Sequence, residues 1–281
     1  MTTTTRAAIA VPDAPDSPMA QVRWTLADAW TLTLRGISYW VRQPLQVVAG
    51  WGFMIMLVAL YGLLFGGAIR VPGEGSYMEF LLPGMFVMTM AFGIGETMSA
   101  VSVDAERGVT DRFRSMPMAS SAVVLGRSFT DMIYSTVGLV VMIGAGLVLG
   151  WRWHGGLGET MAAFGLLLLL RFAMLWIGIF LGLIVPGPSA VNSVWTILFP
   201  LTMVTAAFAP PETMPSWLGF IAEWNPLSAT IYATRDLFGN PGVGGASWVA
   251  QNATLMAVAW PVLIIAIFLP LSVRRYRRLS R

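Results

Sequence analysis

Three ionisable residues stand inside long apolar runs: Glu96, Asp131 and Arg171. A charge at the centre of a bilayer costs about 2.5–3.5 kcal/mol on insertion scales, so each should face protein or water rather than hydrocarbon. At about 1.5 Å per helical residue, Glu96 lies about 12 Å from Asp104, Asp131 about 15 Å from Ser121, and Arg171 about 15 Å from Met161. Their shared depth permits an ion pair between Arg171 and either acid inside a helix bundle. It equally permits Glu96 or Asp131 to attract a cationic amphiphile, or to carry a proton.

A second concentration of charge lies between two hydrophobic stretches, where Asp104, Glu106, Arg107, Asp111, Arg112 and Arg114 crowd into one short segment. On a helix Arg107, Asp111 and Arg114 fall at i, i+4 and i+7 and line one face, with Glu106 and Arg112 beside it. The plain reading is a solvated, self-paired surface helix. The functional reading is a cytoplasmic contact surface for a partner.

Absent residue types exclude other chemistry. All 17 basic residues are Arg, which leaves no Lys for a phosphate-binding P-loop or a Schiff base. With no Cys and a single His154 in an expected outer loop beside Trp151 and Trp153, no metal site and no catalytic residue is expected. No cofactor is expected on this chain, and no nucleic-acid partner.

The elements that must hold these residues are membrane helices. Mean hydropathy is +0.71, with 56% apolar and 11% charged residues, which is not the composition of a water-soluble domain. Windows near the roughly 20 residues needed to cross hydrocarbon predict six spans, at about 44–68, 80–103, 122–150, 161–185, 191–209 and 253–273. Pro186-Gly-Pro188 forces a turn after the fourth, and Pro210-Pro211 closes the fifth. Gly138, Gly144 and Gly146 mark close helix approach. Met and Phe stud the second and fifth spans, but such residues pack helices far more often than they bind ligands, so no substrate contact is assigned.

Residues 1–19 read as a disordered lead rather than a cleaved signal peptide. Residues 20–43 predict an amphipathic interfacial helix, with Trp24, Ala27, Trp30, Leu34, Ile37 and Val41 on one stripe. Asp28, Thr31, Arg35, Ser38 and Arg42 lie opposite. Arginines of the early chain, the charged segment and the basic tail 274–281 fall on one side of six spans, and only Arg70, Arg152 and Arg235 on the other. The asymmetry places both termini in the cytoplasm of a multi-pass cell-membrane protein. The outer connection, 210–245, is too long for a plain turn and predicts a re-entrant-like segment of short helices.

The segment Glu106-Arg-Gly-Val-Thr-Asp-Arg-Phe-Arg-Ser-Met-Pro117, followed by Ala122-Val-Val-Leu-Gly-Arg127, resembles the signature of type-2 ATP-binding-cassette permeases of the daunorubicin-resistance branch. Leu32-Thr-Leu-Arg-Gly-Ile-Ser-Tyr-Trp-Val-Arg-Gln-Pro44, Trp224-Asn-Pro-Leu-Ser228 and Arg235-Asp-Leu-Phe238 resemble the same family. The resemblance runs over nearly the whole chain. It implies an all-α permease domain over 44–273 that pairs with a second permease copy, as a homodimer, in membrane lipid. A separate ATPase subunit would bind ATP and Mg and dock on a coupling helix at 104–118, through Glu106, Arg107, Gly108, Asp111, Arg112 and Arg114. The implied task is outward movement of an amphiphilic small molecule such as an antibiotic. The alternatives are export of a lipid or lipid-linked glycan, or proton-coupled secondary transport.

Overall fold

The computed structural model describes residues 17–67, 75–106, 120–185, 187–242, 245 and 247–279. They form α1 Pro18–Arg42, α2 Pro44–Phe65, α3 Tyr77–Glu106, α4 Ser120–Val148, α5 Leu157–Gly182, α6 Gly187–Met203, α7 Ser216–Trp224, α8 Pro226–Phe238, α9 Trp248–Gln251 and α10 Ala253–Leu279. A 3-10 turn, Pro211–Thr213, precedes α7. The chain is thus the all-α membrane protein that its hydropathy predicts. Among the described residues five helices, α2, α3, α4, α5 and α10, combine the length and hydropathy to cross a membrane.

The expected span at 191–209 takes a different form. Its helix, α6, has 17 residues, about 25 Å at the usual rise, against a hydrocarbon core of about 30 Å. Beyond Met203 the backbone leaves the helix, and Ala206 and Ala207 offer their carbonyls to Arg235 instead. Irregular backbone at such depth is tolerated only where protein satisfies it.

The most apolar window of α3 is 72% buried inside the bundle, whereas those of α2 and α10 are 17% buried. Hence α3 is the central rod and the other two are peripheral. Its Phe80, Leu82, Met85, Phe86 and Met90 anchor the main core, joined by Trp151 and Phe238. Helix α5 lies along α3 through a small-residue seam, Gly178 and Gly182. A Cβ at Gly178 would come within 2.9 Å of the Ile94 carbonyl, and one at Gly182 within 2.7 Å of the Met98 carbonyl. Spacing of the small-xxx-small kind lets two backbones approach this closely. Of the glycines expected to mark close approach, Gly138 meets Trp51 and Gly146 meets Leu82, but Gly144 faces nothing within 4 Å.

Helix α1 packs along the first half of α4 through Ala29, Thr33 and Gly36, not through its predicted tryptophan stripe. Thr33 donates to the Gly126 carbonyl at 3.2 Å. Small side chains win this contact because they admit the facing backbone. Trp30, Leu34 and Val41 stay on the outside, an apolar face open to lipid.

Candidate functional site

Helices α1, α2, α3, α4 and α6 surround a cavity of about 1310 Å³. One end carries Arg35, Arg42 and Asp104, and the wall beyond them carries Glu96, Asp131 and Arg127. Aromatic rings complete it. Trp40 and Tyr134 meet at 4.9 Å between centroids, and Phe92 stands edge-on to Trp195 at 5.7 Å.

Behind this wall Arg171 is fully buried. Its Nε donates to the Ser135 hydroxyl at 2.6 Å, and its Nη2 donates to Thr97 Oγ1 at 3.0 Å. Thr97 in turn donates to Asp131 Oδ2 at 2.6 Å, and Arg171 Nη2 stands 3.9 Å from the same oxygen. Arg127, one helical turn before Asp131, holds the other carboxylate oxygen at 2.9 Å. Gly93 makes the room, since a Cβ there would lie 2.5 Å from the guanidinium carbon. The network therefore joins α3, α4 and α5 in one buried polar cluster, and Asp131 rather than Glu96 is the acid that faces Arg171.

Glu96 differs from its neighbour. Its side chain is exposed to the cavity and makes no hydrogen bond or ion pair among the described residues. Gly50 of α2 lies beside it; a Cβ there would be 3.5 Å from the Tyr134 hydroxyl and 3.8 Å from Glu96 Oε1. Chemically, Glu96 offers the cavity a carboxylate that no described residue binds directly, next to aromatic faces, a combination that suits an organic cation.

The other predicted site residues are placed unevenly. Trp24 is half-buried and Trp30 exposed, while Arg35 and Arg42, expected to point at the cytosol, contribute to the mouth of the cavity. Of the coupling residues, only Glu106 is described. It ends α3, and its Oε1 lies 3.0 Å from where a Cβ would stand on Gly187, the first residue of α6, whose φ is +76°. Arg107, Gly108, Asp111, Arg112 and Arg114 lie outside the described residues.

Residue type alone did not single out Arg235, which entered the sequence argument as an outer-side charge and as part of a family-like segment. It is fully buried, its guanidinium 3.7 Å from the Phe80 ring centroid, donating to the carbonyls of Phe80 at 3.0 Å, Ala206 at 2.9 Å and Ala207 at 3.3 Å. Burial pushes this group down to about 9, still above neutral pH, so the cation persists. Asn225 caps α8 by accepting from Leu227 N at 2.9 Å and donates to the Val204 carbonyl at 2.9 Å. Ser228 accepts from Ala206 N at 3.0 Å. The Asn-Pro-Leu-Ser and Arg-Asp-Leu-Phe pieces thus serve one purpose, tying the unwound end of α6 to α8. Trp151, beside the outer loop, belongs to the main core. It is fully buried, donates to Asn240 Oδ1 at 2.9 Å, and packs edge-on against Phe86 and Phe238. His154 beside it is exposed and meets Glu79 Oε1 at 3.0 Å.

Comparison with known proteins places these features in a family. The family model described as ABC-2 type transporter matches residues 27–238. The daunorubicin resistance ABC transporter permease protein DrrB1 of Streptomyces coeruleorubidus is 30% identical over 254 residues, covering 90% of this chain and 86% of the relative. The "Probable doxorubicin resistance ABC transporter permease protein DrrC" of Mycobacterium tuberculosis is 22% identical, covering 84% and 87%. The "Probable multidrug ABC transporter permease YbhR" of Escherichia coli K12 is 21% identical, covering 68% of this chain and half (50%) of the relative.

Proposed function

The chain belongs to the ABC-2 type transporter family, as a membrane permease and not an enzyme, and from that premise we propose that it exports an amphiphilic organic cation. ATP, with Mg, is hydrolysed on a separate ATP-binding subunit. The single observation that carries the choice of cargo is Glu96, a carboxylate exposed to an aromatic-walled cavity with no hydrogen bond or ion pair among the described residues. The names of the drug-resistance relatives favour the same class.

In this reading two copies of the chain pair in the cell membrane with both termini cytoplasmic. The segment beginning at Glu106, with Arg107, Gly108, Asp111, Arg112 and Arg114, receives the ATPase subunit. Its position supports this: it continues directly from α3, the rod at the centre of the bundle, and α3 also carries Glu96. A push on that segment therefore reaches the cavity wall along one helix.

A second reading, export of a lipid or lipid-linked glycan, draws on Phe53 and Phe199, which belong both to the cavity wall and to the exposed surface of the chain. The test of both is efflux from vesicles holding the chain and its ATPase subunit, driven by ATP and blocked by vanadate. A fluorescent aromatic amine exported by the native chain and not by Glu96→Gln supports the proposal. Export of labelled lipid instead, indifferent to the substitution, supports the second reading. Transport abolished by an uncoupler and indifferent to vanadate would refute both in favour of a proton gradient.

A further inference from the structure

Along α3 the cavity beside Glu96 reaches no further than Phe92, and none of its lining residues among those described belongs to α8 or to the stretch 151–156. Glu79 stands about 20 Å further along the same helix at the usual rise. The length between is core: Met85, Phe86, Met88 and Met90 are buried, and Trp151 and Phe238 pack edge-on against Phe86. A cargo leaving by that end must part this core, so whatever ties α3 to Trp151 and Phe238 there resists its passage. Uncharged groups tie the stretch 151–156 to the end of α8. His154 N and Gly155 N donate to the Phe238 carbonyl at 2.8 and 3.1 Å, and Asn240 Nδ2 donates to the Arg152 carbonyl at 2.8 Å.

The tie to α3 is of another kind. Glu79, in the first turn of α3, accepts from Ser76 N at 3.1 Å through Oε2 and meets His154 Nε2 at 3.0 Å through Oε1. His154 is the one histidine of the chain, and its side chain is 58% exposed, so protons reach it from the medium on that side. A neutral imidazole gives Glu79 an ordinary hydrogen bond, whereas an imidazolium gives it a charge-assisted one, roughly twice as strong. The charged groups around it are Glu79 on α3, Glu159 on α5, exposed Asp236 on α8 and Arg152, whose guanidinium turns to the carbonyls of Leu147 and Trp151. We propose that Glu79 and His154 form a proton-operated latch over the exit: acid medium at this end closes it and slows the departure of cargo, and alkaline medium releases it. The consequence for transport rests on the export reading, while the latch itself rests on the geometry alone.

The chain and its ATPase subunit are placed in inside-out vesicles, with this end facing the lumen. The bath stays near neutral, the lumen is set at about pH 5.5 or about pH 8, on either side of the ordinary histidine range, and the cargo is a fluorescent quaternary ammonium whose charge does not titrate. ATP-driven uptake by the native chain should be about two- to fivefold slower with the acid lumen, the scale of one exposed ion pair. His154→Gln should keep the fast rate at both values, and His154→Arg the slow one. Equal slowing in the native chain and in His154→Gln would overturn the proposal. A second measurement needs no transport. The sequence has no Cys, so spin labels on Ser76→Cys and Leu157→Cys, both exposed, report the separation of α3 from the start of α5 without background. The distance distribution should narrow in acid and should not do so when His154→Gln is added; the same narrowing in both would overturn the latch. Absence of ATP-driven uptake at either lumen pH would refute the export reading, and the distance measurement would still decide the latch.

Discussion

Arg171 and Asp131 face each other at 3.9 Å with the Thr97 hydroxyl set between them, accepting from the cation and donating to the anion. A hydroxyl is well suited to this place because it can do both at once. Asp131 is thereby shared between Arg127 on its own helix and Arg171 on the next, and the cluster holds three helices at one level.

Removing one partner of a buried pair leaves an uncompensated charge and costs about 3–5 kcal/mol. Arg171→Met alone and Asp131→Asn alone should each lower the melting temperature of the detergent-solubilised chain. The double variant should lose less than the sum of the two, and strict additivity in such a cycle would show that the contact carries no coupling.

Glu96→Gln should change that melting temperature little, since the carboxylate makes no hydrogen bond or ion pair among the described residues. It should reduce efflux of a cationic substrate about tenfold or more, the scale of one lost cation contact of about 1.4 kcal/mol. An uncharged cargo of the same shape serves as the control and should be unaffected.

Gly50→Leu offers a steric counterpart. A Cβ at this position meets only ordinary contacts, so the helix accepts a side chain there, yet the added carbons must fill the space beside Glu96 and Tyr134. Stability should change little while transport of bulky cations falls more than transport of small ones.

Two glycine substitutions should differ in their effect on stability. Gly93→Ala drives a methyl into the Arg171 guanidinium and should cost about 1–3 kcal/mol. Gly144→Ala meets open space and should be neutral, or gain up to about 1 kcal/mol from helix propensity. Equal melting shifts for the two would mean that Gly93 does not hold the space for Arg171.

Arg235→Lys keeps the charge but not the planar fork that reaches three carbonyls on two segments. Loss of melting stability of about 2 kcal/mol or more is expected, near the cost of leaving buried carbonyls unpaired. Full stability in the Lys variant would show that charge alone suffices at this site.

Much of this was legible in the sequence where one property dominates over a long stretch. The five spanning helices follow from hydropathy, and Glu96, Asp131 and Arg171 stand out because ionisable residues are so costly among Leu, Met and Val. Choosing between the two acids was beyond reach, since it turns on Thr97 and Ser135, polar residues of a kind that usually bond to their own helix. The end of α6 was misplaced because it depends on Arg235, about thirty residues later, drawing carbonyls out of the helix. The face by which α1 packs on α4 was not read at all, because Ala29, Thr33 and Gly36 carry no strong hydropathy signal and are chosen only for being small enough for close approach.

The two arginines that are fully buried among the described residues also have a fixed place in the order of synthesis. The acceptors of Arg171 lie at Thr97 and Ser135, and those of Arg235 at Phe80, Ala206 and Ala207, in every case earlier in the chain. A ribosome delivers the N-terminal elements first. Each guanidinium therefore emerges after the groups that neutralise or solvate it have already been made. For such a chain, moving α5 ahead of α3 by circular permutation would hand the insertion machinery an arginine with nothing to meet, even though every contact of the finished structure could still form.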